Sequence, residues 1–437
     1  MKTKMVFLSI ILFVMSVTMV LPNVAVAQTD SPGNAISAGA AKVVITPSQY
    51  VPLGGSEFAK YSTGVHDDLY ARCVVISSKG IIVALVSLDL LGLPLDDVKL
   101  IRSDVENIYG IDADFVIVGS THTHSAPDVI GIYGGALDPY VTNEYVPFLR
   151  EKVVEVIGLA LDSMRRAVVQ VGSVEVGGMT FNRRTYPEAG TTDKELTVLR
   201  FVDLEGETIA TLVNFAVHPV ITMTGTLVSA DFVGYLCGEL EEEYGGVGIY
   251  FNGAQGNINP YMYIGYDSPF APDDPAQYNA AEEYGHALAE YAIQALENGK
   301  TFKNLPMDVA KASVDIPLEN EMFLYLIQIG WIRREAIPVD SGFIVRTEVF
   351  VIKMGPIEVA TIPGEAFVEI GLLLKGVMAK YGFVIGLAPE ELGYIVPLDQ
   401  FDPTRYEESM SLTSKTGQMG SLLTETLLQL IAQLEEA

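Results

Sequence analysis

Apolar runs of strand character that stop abruptly on polar or turn-forming residues, with a helix-periodic segment between them, constrain this chain more than any other feature. Val43-Val44-Ile45 gives way to Thr46-Pro47 and then to Gly54-Gly55. Ala71 to Ser77, Ile81 to Leu88 and Phe115 to Val118 follow in the same manner, while Pro94 to Tyr109 carries its apolar residues at helical spacing. Core strands are short and bounded by Gly, Pro and small polar residues, whereas an amphipathic helix repeats every 3.6 residues or so. Their alternation predicts an α/β fold. Tyr145 to Arg166, Ala276 to Glu297 and Gln418 to Glu436 read as long helices, and Val169 to Val176, Val198 to Val202 and Thr208 to Val217 as strands. No repeat or low-complexity linker interrupts the pattern, so one large mixed-sheet domain with helices packed on the sheets is expected.

The chain has 437 residues, 49% of them hydrophobic, which is ample for a large core. Lys+Arg 27 against Asp+Glu 55 gives a net charge of -28, which repels polyphosphate, and no basic patch is present to carry nucleic-acid binding. Lys2 and Lys4 precede an apolar run from Met5 to Leu21, and Ala25-Val26-Ala27 supplies the small residues of a cleavage site. Residues 1–27 are therefore expected to be a secretory signal peptide, 28–41 a flexible lead-in and 42–437 the folded domain, secreted or otherwise extracytoplasmic. An uncleaved N-terminal membrane anchor is the alternative, because the apolar run is long for a signal core. Cys73 and Cys237 are compatible with one disulfide or with two free buried thiols.

Phe115 to Val118 runs into Thr121-His122-Thr123-His124-Ser125-Ala126-Pro127-Asp128, which places two of the 5 histidines at a strand end. In an extended chain, residues two apart share a face, so His122 and His124 can converge on a metal ion or a reacting carbonyl. A hydrogen-bonded strand-end pair is equally compatible with the pattern. His218 closes a second apolar run, Asn214-Phe215-Ala216-Val217-His218-Pro219, and the proline stops the strand there. Glu365 lies in the turn Ile362-Pro363-Gly364-Glu365. Alone it would read as a helix N-terminal residue, but with the histidines it completes a set of the kind found in zinc hydrolases. His66, beside Asp67-Asp68, and His286, in mid-helix, read as structural or surface residues.

Together these stretches resemble the neutral (non-lysosomal) ceramidase family. Its T-H-T-H-S-x-P, F-A-V-H-P and P-G-E motifs fall on Thr121 to Pro127, Phe215 to Pro219 and Pro363 to Glu365, and its tyrosine pair on Tyr394 and Tyr406. Thr46-Pro47, Gly54-Gly55, Tyr70-Ala71-Arg72 and Asp89-Leu90-Leu91-Gly92 also look like the family. The resemblance implies an exported Zn2+-dependent hydrolase of sphingolipid metabolism, cleaving the amide of ceramide-like N-acyl lipids with a metal-activated water. It implies His122, His218, Glu365 and Tyr394 as metal ligands, and His124, Arg183 and Tyr406 as catalytic residues. The implied partner is a small-molecule or lipid substrate, met at a membrane surface. The family's G-D-x-S-P segment stands here as Gly256-Asn257-Ile258-Asn259-Pro260, which makes Asn257 and Asn259 substrate-loop candidates and removes a serine nucleophile. The family's C-terminal immunoglobulin-like domain is not expected in this chain. Two alternatives stay open: a zinc hydrolase of a smaller polar amide or ester, and a non-catalytic exported metal- or ligand-binding protein.

Overall fold

The strand Ile36–Val44 runs between Tyr70–Ser78 and Arg165–Glu175, antiparallel to both. The computed structural model describes residues 35–436 save Ser56, Tyr186, Pro187, Ala189 and 264–267, so the expected signal segment 1–27 lies outside the described residues. The lead-in expected over 28–41 is corrected from Ile36 onward. Ser37, Ala38, Gly39, Ala40 and Ala41 look like linker in the sequence, yet Ala38 and Ala40 face the contact between the two sheets while Gly39 lies against the end of a helix. A Cβ on Gly39 would come within 2.1 Å of the Ala160 carbonyl oxygen.

The larger sheet runs in the order Val247–Asn252, Thr208–Phe215, Glu195–Asp203, Arg165–Glu175, Ile36–Val44, Tyr70–Ser78, Ile81–Leu88, Val116–Ser120. Its two outermost pairs are parallel and the pairs between them antiparallel. Hydrogen bonds tie its two ends to each other: Ser87 Oγ donates to Tyr250 O at 2.6 Å and Asn252 Nδ2 to Thr121 O at 3.0 Å. A second sheet orders Met307–Pro317, Gly342–Met354, Ile357–Ile362 and Tyr381–Gly386, with the last pair parallel.

Alternate residues of the two sheets meet in one buried cluster, including Val74, Ile76, Leu199 and Phe201 from the first and Phe350, Ile352, Phe383 and Ile385 from the second. Helices α1 (Leu95–Tyr109) and α2 (Val146–Asp162) bury the other face of one half of the larger sheet, against Cys73, Val75, Ala84 and Val86. Helices α3 (Phe232–Tyr244) and α4 (Ala276–Glu297) bury that of the other half, against Val198, Val213 and Phe215. The remaining helices are α5 (Glu321–Gln328), α6 (Val368–Lys375), α7 (Tyr406–Ser409) and α8 (Gln418–Glu436), the last packing its Leu and Ile stripe on the second sheet. The layers are thus helix, sheet, sheet, helix. Coverage on both faces explains why Tyr70–Ser78 and Ile81–Leu88 are continuous apolar runs rather than alternating ones.

Candidate active site

Three strands aim their carboxyl ends at one point. Val116–Ser120 leads to His122 and His124, Thr208–Phe215 to His218, and Ile357–Ile362 to Glu365. Each belongs to a parallel pair, and α/β folds build their sites at the carboxyl ends of such strands. The convergence of His122 and His124 does not come from strand alternation, as expected, because His122 has φ 75 and the chain there is not extended. The left-handed residue turns the two rings edge to face, with centroids 4.9 Å apart. His218 joins them at 5.0 Å from His122 and 5.9 Å from His124. Gly364, at φ 152, lets the turn pass so close to the next segment that a Cβ would lie 2.6 Å from Gly393 O, and this sets Glu365 beside Tyr394 in a short parallel bridge.

The ring protons can be located from the carbonyls around them. His122 Nδ1 lies 2.7 Å from Leu91 O, His124 Nδ1 2.7 Å from Gly55 O and His218 Nδ1 3.0 Å from Ile258 O. A carbonyl only accepts, so each Nδ1 carries a proton and each Nε2 a lone pair. Burial, then the neighbouring imidazoles, holds His124 well below the usual histidine range; burial, then Arg183, lowers His218 to about 4. Burial pushes Glu365 up, yet His122 and His218 outweigh it and leave its carboxyl well below the ordinary value. Glu365 Oε2 is 2.9 Å from His218 Nε2 and 3.3 Å from His122 Nε2.

A neutral His218 has one ring proton and cannot satisfy both Ile258 O and Glu365. The buried Nε2 of His124 has no hydrogen-bond partner, and that of His122 faces only the Glu365 carboxylate at 3.3 Å. Lone pairs and a carboxylate facing one another repel unless a cation lies among them. Such a donor set, with every Nδ1 anchored to a backbone carbonyl, fits a zinc-type metal. The histidine nitrogens lie within 4.8 Å of one another.

Tyr394, the fourth expected ligand, is buried beside this group, and burial raises its phenol well above 10 against the lowering effect of Arg183. The Arg183 guanidinium lies over its ring at 5.3 Å. Arg183 Nη2 donates to Gly256 O at 2.8 Å, Nε to Glu407 Oε1 at 3.3 Å and Nη1 to Asn259 Oδ1 at 3.5 Å. Tyr406 approaches Tyr394 with ring centroids 5.9 Å apart and hydrogen-bonds Tyr133. Asn257 is a correction: its Oδ1 accepts from Val368 N at 2.9 Å and its Nδ2 donates to Glu369 Oε2 at 3.0 Å, so its side chain secures the start of α6 instead of facing substrate. Sequence reasoning missed Glu407, Tyr133 and the glutamates Glu390 and Glu391. Gly55 was visible only as part of a glycine-rich loop.

Two cavities meet here. One, of about 80 Å³, is walled by apolar side chains such as Leu91, Ile130, Phe323 and Ile327 and reaches His122, Glu365 and Glu391. The other, of about 370 Å³, is walled by Arg183, Val220, Met223, Asn259 and Tyr263. Gly55, His124, Tyr394 and Tyr406 line both. Burial, then the nearby Glu365 charge, raises the Glu391 carboxyl well above the usual range. Away from the site, His66 stacks on Tyr278 with centroids 4.2 Å apart and His286 sits 3.3 Å from Glu239. Cys73 and Cys237 are free, buried thiols; burial pushes Cys237 up to about 12. Among the described residues no helix is long and apolar enough to cross a membrane.

Comparison with known proteins agrees with this geometry. The sequence profile of neutral/alkaline non-lysosomal ceramidase, N-terminal, matches residues 37–254. Neutral ceramidases of Drosophila melanogaster and Drosophila pseudoobscura pseudoobscura are 30% identical over 230 residues, which is 48% of this chain and 32% of theirs. The match thus spans about a third of the length of those relatives. The neutral ceramidase from Pseudomonas aeruginosa shares the fold, with a TM-score of 0.74 over 92% of this chain and 75% of that one at 18% identity. A ceramidase complexed with C2 gives the same TM-score, 0.74, at 16% identity. From its motifs, its profile match and its fold, the chain belongs to the neutral/alkaline non-lysosomal ceramidase family.

Proposed function

We propose that this protein is an exported zinc-dependent amidohydrolase that cleaves the amide of ceramide-like N-acyl lipids. The observation that carries the reading is the convergence of imidazole lone pairs and the Glu365 carboxylate at the junction of an apolar and a more polar cavity. His122, His218, Glu365 and Tyr394 would hold the metal. Zinc in such a site supplies Lewis acidity, which polarises an amide carbonyl and makes water nucleophilic near neutral pH.

The chain's own groups do the rest. The apolar wall of Leu91, Ile130, Phe323 and Ile327 takes a hydrocarbon chain out of water, which favours a lipid over a small polar amide. Arg183 and Tyr406 stabilise negative charge on the carbonyl oxygen. His124 Nε2, neutral and without a partner, accepts a proton from the attacking water and returns it to the departing amine nitrogen. Asn259 stands where a serine nucleophile would, and this route needs none. Action outside the cytoplasm, at a lipid surface, follows from the secretory-type N-terminus together with the apolar cavity.

Elemental analysis and an assay on short-chain ceramide test the reading together. About one zinc per chain is expected, with turnover that disappears on chelation and returns with zinc. His218→Ala should lose both. A metal-free protein of full activity, or stoichiometric zinc retained in His218→Ala, refutes the assignment.

A further inference from the structure

Besides Glu365, the wall of the apolar cavity contains Glu390 and Glu391. Glu390 is fully engaged: Arg334 Nε lies 2.8 Å from its Oε2, and Thr347 Oγ1 donates to its Oε1 at 2.7 Å. Glu391 is not. Its Oε1 accepts the Gly393 N–H at 2.6 Å, while its Oε2 is buried with no hydrogen-bond partner. The base of the side chain is held in place. Glu391 N–H is bound to Leu93 O at 3.2 Å, and Gly92 packs so tightly on the side chain that a Cβ there would lie 2.4 Å from Glu391 Cβ. Glu391 thus lines the cavity that also reaches His122 and Tyr394, and it keeps one buried carboxyl oxygen without a partner.

We propose that Glu391 is a specificity residue whose Oε2 takes a hydroxyl of the substrate, so that the enzyme selects N-acyl amino alcohols over N-acyl alkylamines. A hydroxyl both donates and accepts, so it pairs with the carboxyl whichever protonation state that group holds. A methylene in the same place leaves the buried oxygen unpaired, and sites built around such a group reject the analogue that lacks the matching polar atom. The apolar remainder of the wall takes the alkyl chain and has little preference of its own. The proposal rests on the amidohydrolase reading and deepens it.

The test compares an N-acetyl long-chain amino alcohol with the N-acetyl alkylamine of equal chain length, in the zinc-loaded protein and in Glu391→Leu. The unsubstituted protein should favour the hydroxylated compound by roughly ten- to a hundredfold in kcat/KM. Glu391→Leu should bring that ratio to within about threefold of unity by losing the amino alcohol, with zinc content unchanged. Glu391→Gln, which still donates and accepts, should keep the preference; Glu391→Met replaces the leucine variant if that protein does not accumulate. An unchanged ratio in the apolar variants overturns the proposal. If neither compound is hydrolysed, calorimetric binding of the free long-chain amino alcohol and alkylamine separates the two ideas. A hydroxyl preference in binding that vanishes in Glu391→Leu supports Glu391 while the amidohydrolase reading falls, and a preference unaffected by the substitution overturns the role of Glu391.

Discussion

Replacing Gly55 by alanine should disable His124 without disturbing the metal site. Gly55 has φ 81, and its carbonyl accepts from His124 Nδ1 at 2.7 Å. A Cβ there would lie 2.3 Å from His124 Nδ1 and 2.6 Å from its Cγ, where ordinary contact begins near 3.4 Å, so the ring must retreat by about 1 Å. Misplacing a proton-handling group by that distance costs about a hundredfold in turnover. The left-handed backbone adds a stability cost of about 1 kcal/mol for alanine, which lowers Tm by about 2 °C in a domain of this size. Gly55→Ala should therefore fold, keep its zinc and lose about 99% of kcat/KM on short-chain ceramide. Full turnover would show that His124 does not handle the proton. Zinc lost in step with activity would make His124 a ligand, and a Tm fall of about 10 °C or more would reduce the effect to misfolding.

Asn259 and Asp231 give two further tests. Arg183 reaches Asn259 only at 3.5 Å while holding Gly256 O and Glu407 more closely, so Asn259→Ala should change turnover by less than about tenfold, whereas Glu365→Ala should abolish it and strip the metal; equal losses would place Asn259 at the reacting group. Burial raises the Asp231 carboxyl from 3.8 to about 6, against hydrogen bonds from Thr222 and Phe232. A raised carboxyl contributes stability that is fully present below 3.8 and lost as pH rises through 6, about 3 kcal/mol in all. The Tm of the protein relative to Asp231→Asn, which does not titrate, should accordingly rise on acidification from about pH 7 to 4, and a flat or falling difference refutes this.

Much of the first sheet and its helices is legible from sequence because burial on both faces writes itself as unbroken apolar runs. Helices α4 and α8 show a clear stripe over their full lengths. Helix α3 does not. Gly234 and Gly238 lower its helix propensity, so that even with the capping residue Asp231 at its start no clear stripe emerges. The long strands Met307–Pro317 and Gly342–Met354 are obscured by charge: Lys311 pairs with Glu348, and Asp315 with Arg346, on neighbouring strands that the sequence keeps far apart. Helix α2 stops at Asp162 rather than at Arg166 because Arg165 already opens a strand.

At the site, His122, His124, His218 and Glu365 were readable because each follows an apolar strand, and strand ends are where polar chemistry can face a cavity. Tyr394, Arg183 and Tyr406 became legible only through the resemblance, since one tyrosine or arginine carries no local signature. Glu407, Tyr133 and Gly55 act through partners distant in sequence, such as Arg183, Tyr406 and His124. Asn257 shows the opposite failure: its place in a motif suggested substrate, but an amide beside a helix start finds the free N–H of Val368 first.

The profile match ends at residue 254, and the site does not. His122, His124, Arg183 and His218 lie within the matched region, whereas Glu365, Glu391, Tyr394 and Tyr406 come from beyond it, on and after the second sheet. The matched half alone presents only neutral imidazole lone pairs and the positive charge of Arg183, a poor setting for a cation. The carboxylate that reverses this is positioned by the apolar contact between sheets, where Phe350 and Phe383 pack with Leu199 and Phe201. Salt bridges from Arg183 and Arg184 to Glu407, and from Arg184 to Glu408, then fasten α7 with its Tyr406 to the histidine side. Two kinds of force therefore divide the labour: burial sets the distance between His218 and Glu365, with Tyr394 carried beside Glu365 by their backbone pairing, and paired charge sets Tyr406. A site divided in this way forms only when both sheets have folded against each other, so the chemistry belongs to the packed pair of sheets and to neither segment by itself.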